Sequence, residues 1–388
     1  MSHRSIDQQS LSLDIRLASA ASRARTLLGS RPSTSPAGAT ESSRSRSGPP
    51  DQADVQAIAR QLKRARMETP GGIPGRDPTE LDRIAASLVE RARAVMNRLE
   101  SGASAGTIGE GDALALESVI RTRGRPALAI EGERIAAIES DKHPGSDFWR
   151  IPLNDHETQL VRVAGVTGAV MVHDTITGGP PEVRGTAWLI RSDLVVTNRH
   201  VLFPASRQNR LAKRLTGRST EAAIKPDLQV MVDFAFDDGP PRMRRCLVTG
   251  VLYVSKDDDP VDVALLRIAG AAADASPLSL ADNGLASRQL YLFGHPGVLR
   301  DVPDEVQAVF GTPNGRKRVC CGELMVAEPA RPGELAHDAS TIGGFSGGCV
   351  LVFGSTDVTA LHYYGDPLRG NRAITAGALR AHAVAAFF

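Results

Sequence analysis

The chain has 388 residues and a formal net charge of +2, and 41% of its residues are apolar, which leaves room for two or three domains with cores of their own. The near-balanced charge gives no reason to expect a nucleic-acid partner. No apolar run reaches the roughly 20 residues that a membrane helix requires, so we expect no membrane association.

The first 50 residues have the composition of a disordered segment or linker. From Ser30 to Pro50 the sequence is rich in serine, proline and arginine, which cannot supply a packed core. The arginines leave open a contact with an acidic partner, although a solvated linker is the simpler interpretation. The N-terminus lacks the basic-then-apolar pattern of a secretion signal, so we expect a cytoplasmic protein.

The cysteines agree with that location. Cys246, Cys320, Cys321 and Cys349 show no metal-site spacing, and the simplest interpretation is four reduced thiols in a reducing, intracellular compartment. The sequence therefore predicts no disulfide, no metal and no other cofactor.

Residues 51–150 are predicted to form a helical accessory region with a small hairpin. A helix should begin at Pro78, with Asp77 as its N-cap and Glu80 in its first turn. The hairpin is expected around Glu131–Gly132. No motif here carries chemistry, so the region is either a scaffold or an adaptor that contacts a protein partner or holds the rest of the chain inactive. The apolar residues at helical spacing are Val55, Ile58, Leu62 and Ala65; Leu81, Ile84, Leu88, Val95 and Leu99; and Leu116, Val119 and Ile120.

From Val166 onward, short apolar strands separated by turns replace the helices. Many short strands with Gly and Pro turns are typical of a β-sandwich or of paired β-barrels. A last helix is expected from Ala376 to Ala385. The predicted strands are 166–172, 185–190, 194–197, 229–234, 246–254, 263–267, 289–293, 306–310, 319–324, 349–353, 358–363 and 371–374.

A histidine follows the hairpin of residues 185–197. Two apolar strands flank a polar turn, and His200 comes just after the second strand. A histidine in such a position is most often structural, but it can also act as a general base because its pKa lies near neutrality. His295, in a Gly-His-Pro-Gly turn, and His362, in a strand, are the competing candidates.

An aspartate precedes the apolar strand that begins at Val263. Asp262 directly abuts this strand, where burial and a hydrogen bond to a histidine N–H are possible. The neighbouring carboxylates, residues 257–259, could simply belong to a solvated acidic turn. We therefore take Asp262 as the candidate acid that orients His200.

A serine lies between two pairs of glycines near the C-terminal end. Residues 343–348 read Gly-Gly-Phe-Ser-Gly-Gly, and glycines allow backbone conformations that bring main-chain N–H groups close to a substrate. Ser346 is the candidate nucleophile, and the N–H groups of Gly344 and Ser346 are the candidate oxyanion donors. Taken alone, the stretch could equally be a plain glycine-rich loop.

Together these motifs indicate a family. The order His, Asp, Ser is one of the known triad orders, and residues from about 165 to 388 resemble a trypsin-like (chymotrypsin-fold) serine protease. The resemblance rests on residues 185–187 with 197–201, on 262–266 and on 344–348, supported by 293–297 and 360–365. It is closest in character to the bacterial branch that includes glutamyl endopeptidases and HtrA-like proteases.

The resemblance implies a mainly β protein with two six-stranded antiparallel β-barrels, preceded by the helical accessory region. It implies a serine endopeptidase of bacterial type that uses His200, Asp262 and Ser346, passes through an acyl-enzyme and acts on a protein or peptide substrate. The alternative is a catalytically inactive protease-fold scaffold, or an adaptor acting through the N-terminal region.

Specificity and activation depart from the trypsin pattern. Ser340 stands where an aspartate would bind Lys or Arg, so tryptic specificity is disfavoured. Thr341 and His362 match the threonine and histidine with which glutamyl endopeptidases hold an acidic P1 group; a pocket for small or apolar groups is the alternative. Phe345 replaces the aspartate that receives a new N-terminus in trypsin-type zymogens, and Tyr363 replaces a serine found in many relatives.

Overall fold

The computed structural model describes residues 49–68, 77–101, 108–132, 134–139, 146–242, 244–270, 275–282, 287–297, 314–325, 331–365 and 370–388, together with His143 and Val309. The predicted linker up to residue 48 lies outside these ranges. So does the predicted strand 306–310, apart from Val309.

Three helices open the described chain and share one apolar core. They are α1 (Gln52–Glu68), α2 (Pro78–Glu100) and α3 (Glu110–Gly124). Asp77 caps α2 by accepting the Thr79 N–H at 2.5 Å, as predicted. Leu62, Leu88 and Leu116 are among the residues buried between the helices. A buried, two-pronged ion pair from Arg123 to Asp54, at 2.7 and 2.6 Å, joins the end of α3 to the start of α1.

A short mixed segment connects these helices to the barrels. The predicted hairpin is present as β1 (Ala127–Glu131) and β2 (Arg134–Ile135). A 3₁₀ turn at Asp147–Trp149 then leads into α4 (Arg150–Asp155) and α5 (Glu157–Val166). The sequence had not indicated these helices.

The first barrel closes through six antiparallel strands. Their order is β10-β5-β4-β3-β8-β9, and β9 also pairs with β10. The hairpin β6–β7 extends this sheet beside β9. The elements are β3 (Thr167–Asp174), β4 (Glu182–Arg191), β5 (Leu194–Thr197), the short helix α6 (Arg199–Leu202), β6 (Ala212–Leu215), β7 (Arg218–Ile224), β8 (Leu228–Asp233), β9 (Arg245–Val254) and β10 (Ala264–Ile268).

The second barrel has the same number of strands. Its order is β11-β14-β15-β16-β13-β12, closed by pairing of β11 with β12. The accessory strand β1 adds to β12, with Ala127 opposite Cys320. The elements are β11 (Gln289–Gly294), β12 (Arg318–Met325), β13 (Glu334–His337), β14 (Cys349–Val352), β15 (Ala360–Tyr364), β16 (Asn371–Thr375), α7 (Ala376–Ala381) and a final 3₁₀ turn (Ala383–Phe387).

The predicted fold class is confirmed: the protein is mainly β, with two closed six-stranded antiparallel barrels and N-terminal helices, consistent with the chymotrypsin-like fold. Cys320, Cys321 and Cys349 are buried, Cys246 is half-buried, and all four thiols are unpaired. Within the described ranges, no helix combines the length and apolar character needed to cross a membrane.

Candidate active site

Strand pairing in the first barrel brings His200 next to Asp262. Ala264 at the start of β10 lies opposite Thr197 at the end of β5, so the residues flanking both strands meet at one barrel edge. His200 Nδ1 lies 2.6 Å from Asp262 Oδ2, and the His200 backbone N–H donates to Asp262 Oδ1 at 3.1 Å. Two hydrogen bonds to one carboxylate fix the orientation of the imidazole.

The electrostatics of this pair favour an ionised carboxylate. Burial opposes ionisation of Asp262, but its hydrogen bond to His200 and the charge of Arg199 hold its pKa below the usual value. The Asp262 side chain is 13% exposed and that of His200 is 38% exposed. Because the carboxylate lies at Nδ1, the neutral imidazole carries its proton there and presents the lone pair of Nε2 outward.

Arg199 stabilises the loop before Asp262, a role that the sequence motifs did not reveal. Its guanidinium donates to the Ser255 hydroxyl and to the Asp259 carbonyl oxygen, both at 3.1 Å, and also to the Lys256 carbonyl oxygen. Ser255 Oγ in turn accepts the Val263 N–H at 3.2 Å. The backbone on both sides of Asp262 is therefore held by a network that begins one residue before His200.

Strand β4 attaches the serine segment of the second barrel to the first barrel. The Thr186 N–H donates to the Ser346 carbonyl oxygen at 2.8 Å, and the Thr186 hydroxyl donates to the Gly344 carbonyl oxygen at 2.9 Å. At Gly185 an added Cβ would lie 2.7 Å from a Val201 methyl carbon and 3.2 Å from the Ser346 carbonyl oxygen. The backbone at β4 is thus close both to the residue after His200 and to Ser346.

Among the described residues, none is hydrogen-bonded to the hydroxyl of Ser346. Within the described ranges, no hydrogen bond joins Ser346 Oγ to His200 Nε2, although the two segments meet across β4. Hydrogen bonds of this kind are often long in the absence of substrate and shorten when substrate binds. The geometry leaves the hydroxyl available for the predicted nucleophilic role.

Two backbone N–H groups in the serine segment, one of them that of Ser346 itself, are available as donors. In the described part of the chain, the N–H groups of Gly344 and Ser346 have no protein acceptor, whereas the Gly343 carbonyl oxygen accepts the Gly297 N–H at 2.6 Å. Gly344 has a φ of 98°, and an added Cβ would overlap the Gly297 backbone. The carbonyls before and after Gly344 are thus turned onto protein partners, which leaves the N–H groups free for an oxyanion.

The competing histidines, His295 and His362, are hydrogen-bonded to no carboxylate in the described ranges. His295 is fully buried, and its Nδ1 lies 3.0 Å from the Gly315 carbonyl oxygen. His362 Nδ1 lies 3.2 Å from His337 Nε2. Of the three histidines considered from the sequence, only His200 is paired with an aspartate.

The residues predicted to line the specificity pocket are buried beside the serine segment. The Ser340 hydroxyl donates to the Arg125 carbonyl oxygen at 2.7 Å, and the Thr341 hydroxyl donates to Asn371 Oδ1 at 2.7 Å. Both hydroxyl protons therefore have protein acceptors. That these residues contact substrate stays a prediction.

The two neighbouring histidines are neutral near pH 7. Burial lowers the pKa of His337 to about 4. Burial, followed by the charges of His337 and His200, lowers the pKa of His362 well below its usual value. His337 Nδ1 has no hydrogen-bond partner in the described structure.

Comparison with known families found one match within the chain. The family model of the trypsin-like peptidase domain matches residues 185–361, a range that includes His200, Asp262 and Ser346. A search of curated proteins found no match.

Solved structures of three proteases are similar to this chain at low identity. The serine endoprotease from Yersinia pestis has 17% identity and a TM-score of 0.36, over 57% of this chain and 62% of that one. The thermostable serine protease AL20 from an extremophilic microorganism has 16% identity and a TM-score of 0.39, over 58% and 98%. The VesB protease of Vibrio cholerae has 15% identity and a TM-score of 0.37, over 56% and 62%. The chain thus spans less than two thirds of the Yersinia and Vibrio proteins.

Proposed function

We propose that this chain, whose residues 185–361 match the trypsin-like peptidase domain, is a serine endopeptidase that works through Ser346, His200 and Asp262. The observation that carries the proposal is the 2.6 Å contact between His200 Nδ1 and Asp262 Oδ2, at the barrel edge where β4 also holds the Ser346 backbone. Acyl transfer requires a base with a fixed tautomer and an available serine hydroxyl. The segments that carry His200 and Ser346 both lie against β4.

Each group has a defined part in the reaction. Ser346 Oγ attacks the scissile carbonyl carbon while His200 Nε2 takes the hydroxyl proton, and the ionised Asp262 stabilises the resulting imidazolium. The N–H groups of Gly344 and Ser346 bind the oxyanion of the tetrahedral intermediate. Collapse breaks the C–N bond, His200 returns the proton to the leaving amine, and water repeats the sequence on the ester to release the acid and restore the serine.

An acidic P1 residue is the specificity we propose. One of the two imidazoles must donate in the contact between His337 Nε2 and His362 Nδ1. If His337 donates, its unpartnered Nδ1 is an acceptor, which costs less than a buried N–H without a partner. That tautomer leaves His362 Nε2 protonated and able to donate to a carboxylate. The Thr341 hydroxyl would have to turn from Asn371 to add a second donor.

A panel of peptides that differ only at P1 tests both proposals. With Glu, Asp, Ala, Leu and Arg at P1, we expect the highest kcat/KM for the acidic peptides and background rates for Ser346→Ala. His362→Ala should reduce the preference without abolishing cleavage. Faster cleavage after Arg or Leu, or an unchanged preference in His362→Ala, would refute the proposed acidic P1 specificity. The peptidase proposal would still stand. If the folded chain cleaved no peptide and no protein, the peptidase proposal would be refuted.

An inactive protease-fold scaffold or adaptor is the second candidate. It is favoured by the N-terminal helices, which pack around a core of their own and could present a surface to a protein partner. A reducing, intracellular location is a further proposal, supported by the four unpaired thiols.

A further inference from the structure

Arg125, the residue that follows helix α3, contacts the second barrel. Arg125 Nε and Nη2 lie 2.7 Å from Asp338 Oδ1 and Oδ2, which forms a two-pronged ion pair. The side chain of Arg125 is 2% exposed and that of Asp338 is 8% exposed. Nη1 donates to the Gly124 carbonyl oxygen at 2.8 Å, and Nη2 also reaches Glu323 Oε2 at 3.3 Å. The guanidinium thus has three partners, and two of them are carboxylates.

The same residue is bonded to the serine segment a second time. The backbone carbonyl of Arg125 accepts the Ser340 hydroxyl at 2.7 Å, and the Ser340 side chain is buried. Asp338 and Ser340 lie eight and six positions before Ser346. Both bonds therefore fix the first half of residues 338–346, the stretch that contains the predicted pocket wall, the oxyanion donors and the nucleophile.

The rest of residues 338–346 is anchored by the barrels. Asn371 holds Thr341, and its side chain also donates to the Ala339 carbonyl oxygen. The Gly297 N–H and Thr186 hold the carbonyls of Gly343 and Gly344. Residues 338–342 lie outside any helix or strand. Asn371 and the Glu323 backbone also hold the beginning of the segment, so loss of the Arg125 contacts would loosen it rather than free it, and the shift would continue along the backbone toward Gly344 and Ser346.

We propose that Arg125 is a positioning residue through which the N-terminal region keeps residues 338–346 in their catalytic conformation. This inference rests on the proposed peptidase function. A buried carboxylate that loses a cation is destabilised, so docking of Arg125 stabilises Asp338 in its place. Conversely, a rigid fork of two N–H donors restricts Asp338 more tightly than a single charge would. The position of the oxyanion donors is thereby linked to correct docking of the accessory region.

The chain supplies a matched control two residues away. Arg123 makes an equivalent buried fork with Asp54 of α1, and it also donates to the Pro49 carbonyl oxygen at 2.9 Å. Both partners of that pair lie within the helical region, and neither belongs to residues 338–346. Replacing Arg123 should therefore cost stability of the same kind without a direct effect on the site.

The experiment compares Arg125→Lys with Arg123→Lys in the full-length protein. Both keep the buried charge but lose the second hydrogen bond of the fork. We measure kcat and KM on the best peptide, the rate of labelling by a fluorophosphonate, and thermal unfolding. Arg125→Lys should lower kcat/KM about tenfold, mainly through kcat, and should slow labelling, because a small displacement of oxyanion donors weakens transition-state binding more than substrate binding. Arg123→Lys should keep wild-type values of both.

Two further variants extend the series. Arg125→Ala should lose about 100-fold in kcat/KM, the effect expected of a displacement near 1 Å. The double variant Arg125→Met/Asp338→Asn removes both charges, keeps an acceptor for the Glu323 N–H and should unfold like wild type, yet stay well below wild-type activity.

The Arg125→Lys variant tests whether Arg125 is a positioning residue. Wild-type kcat/KM and labelling in a folded Arg125→Lys protein would overturn the inference and leave the peptidase proposal intact. Equal losses in Arg125→Lys and Arg123→Lys would also overturn it, because the effect would then be one of general stability. A folded wild-type chain without turnover or labelling would refute the proposed function instead.

Discussion

At the scale of single residues, the contact of Asp262 with His200 orients the candidate base, and Arg125 anchors the segment that leads to Ser346. The sequence singled out Asp262 among its acidic neighbours because it abuts an apolar strand. In the structure its carboxylate contacts His200. Arg125 could not be found in this way, because its partner Asp338 lies 213 positions along the chain and neither residue belongs to a motif. A contact between residues so far apart in the sequence depends on the three-dimensional fold, and a local motif does not reveal it.

Asp262→Asn tests the role of the carboxylate. An amide would leave His200 in place but favour the wrong tautomer, so we expect kcat/KM to fall by about 10⁴ with little change in thermal unfolding. Asp259→Asn is the control, since Asp259 lies 2.9 Å from His382 Nε2 and not on His200. Near-normal turnover by Asp262→Asn would contradict the assignment.

The pH dependence of specificity tests His362. Its pKa is well below the usual value in the free protein because the ring is buried. A bound P1 carboxylate would favour the imidazolium and raise that pKa. The ratio of kcat/KM for Glu over Ala at P1 should therefore rise as the pH falls from 8 to about 5.5, since the dependence on His200 cancels in the ratio. His362→Gln should give a flat ratio, and a ratio in wild type that is flat or falls with decreasing pH would count against the acidic pocket.

At the scale of elements, regular alternation and turns made most strands predictable. The hairpin of β4 and β5, and strands β11 and β14, lie close to their predicted positions. Strand β7 was missed because Arg218–Ile224 has few large apolar residues, and β13 because Glu334–His337 is short and half polar. The last helix ends at Ala381 and gives way to a 3₁₀ turn, so its predicted end was too late.

Thr186→Val tests whether β4 holds the serine segment. Valine keeps the side-chain shape of threonine but has no hydroxyl. In the wild type this hydroxyl donates to the Gly344 carbonyl oxygen and accepts the His295 N–H, both at 2.9 Å. We expect a loss of about 1–2 kcal/mol in unfolding free energy and a clear fall in kcat. Thr167→Val in the adjacent strand is the control, because it removes a buried 2.9 Å bond to the Val163 carbonyl oxygen and a 3.3 Å contact with Cys349 Sγ, but no bond to residues 343–346. Equal activity in the two variants would show that β4 has no such role.

At the scale of the whole molecule, the strand pattern left a sandwich or paired barrels open, and the family resemblance implied two barrels after a helical region. Neither showed how the helical region and the barrels join. The join is made by β1 pairing with β12, by Trp149 donating to the Gly124 carbonyl oxygen at 2.9 Å, and by Arg125. Each of these contacts depends on the three-dimensional path of the chain. The accessory region is therefore a structural part of the second barrel as well as a helical unit with its own core.

Two truncations test this integration. A chain that begins at residue 49 keeps every contact described above, and we expect wild-type unfolding and activity. A chain that begins at residue 108 loses α1 and α2, exposes the apolar face of α3 around Leu116 and leaves Arg123 without Asp54. It should unfold at a lower temperature, tend to aggregate and lose activity. If the shorter chain unfolded and turned over like wild type, the helices would be an independent appendage.

Covalent labelling of the nucleophile tests the central claim most directly. A fluorophosphonate should phosphonylate the folded wild-type protein once, with loss of fluoride, and peptide mapping by mass spectrometry should locate the adduct on Ser346. His200→Ala should react far more slowly, and Ser346→Ala should give no adduct. A folded wild-type protein that gains no adduct, or gains one on another residue, would contradict the account.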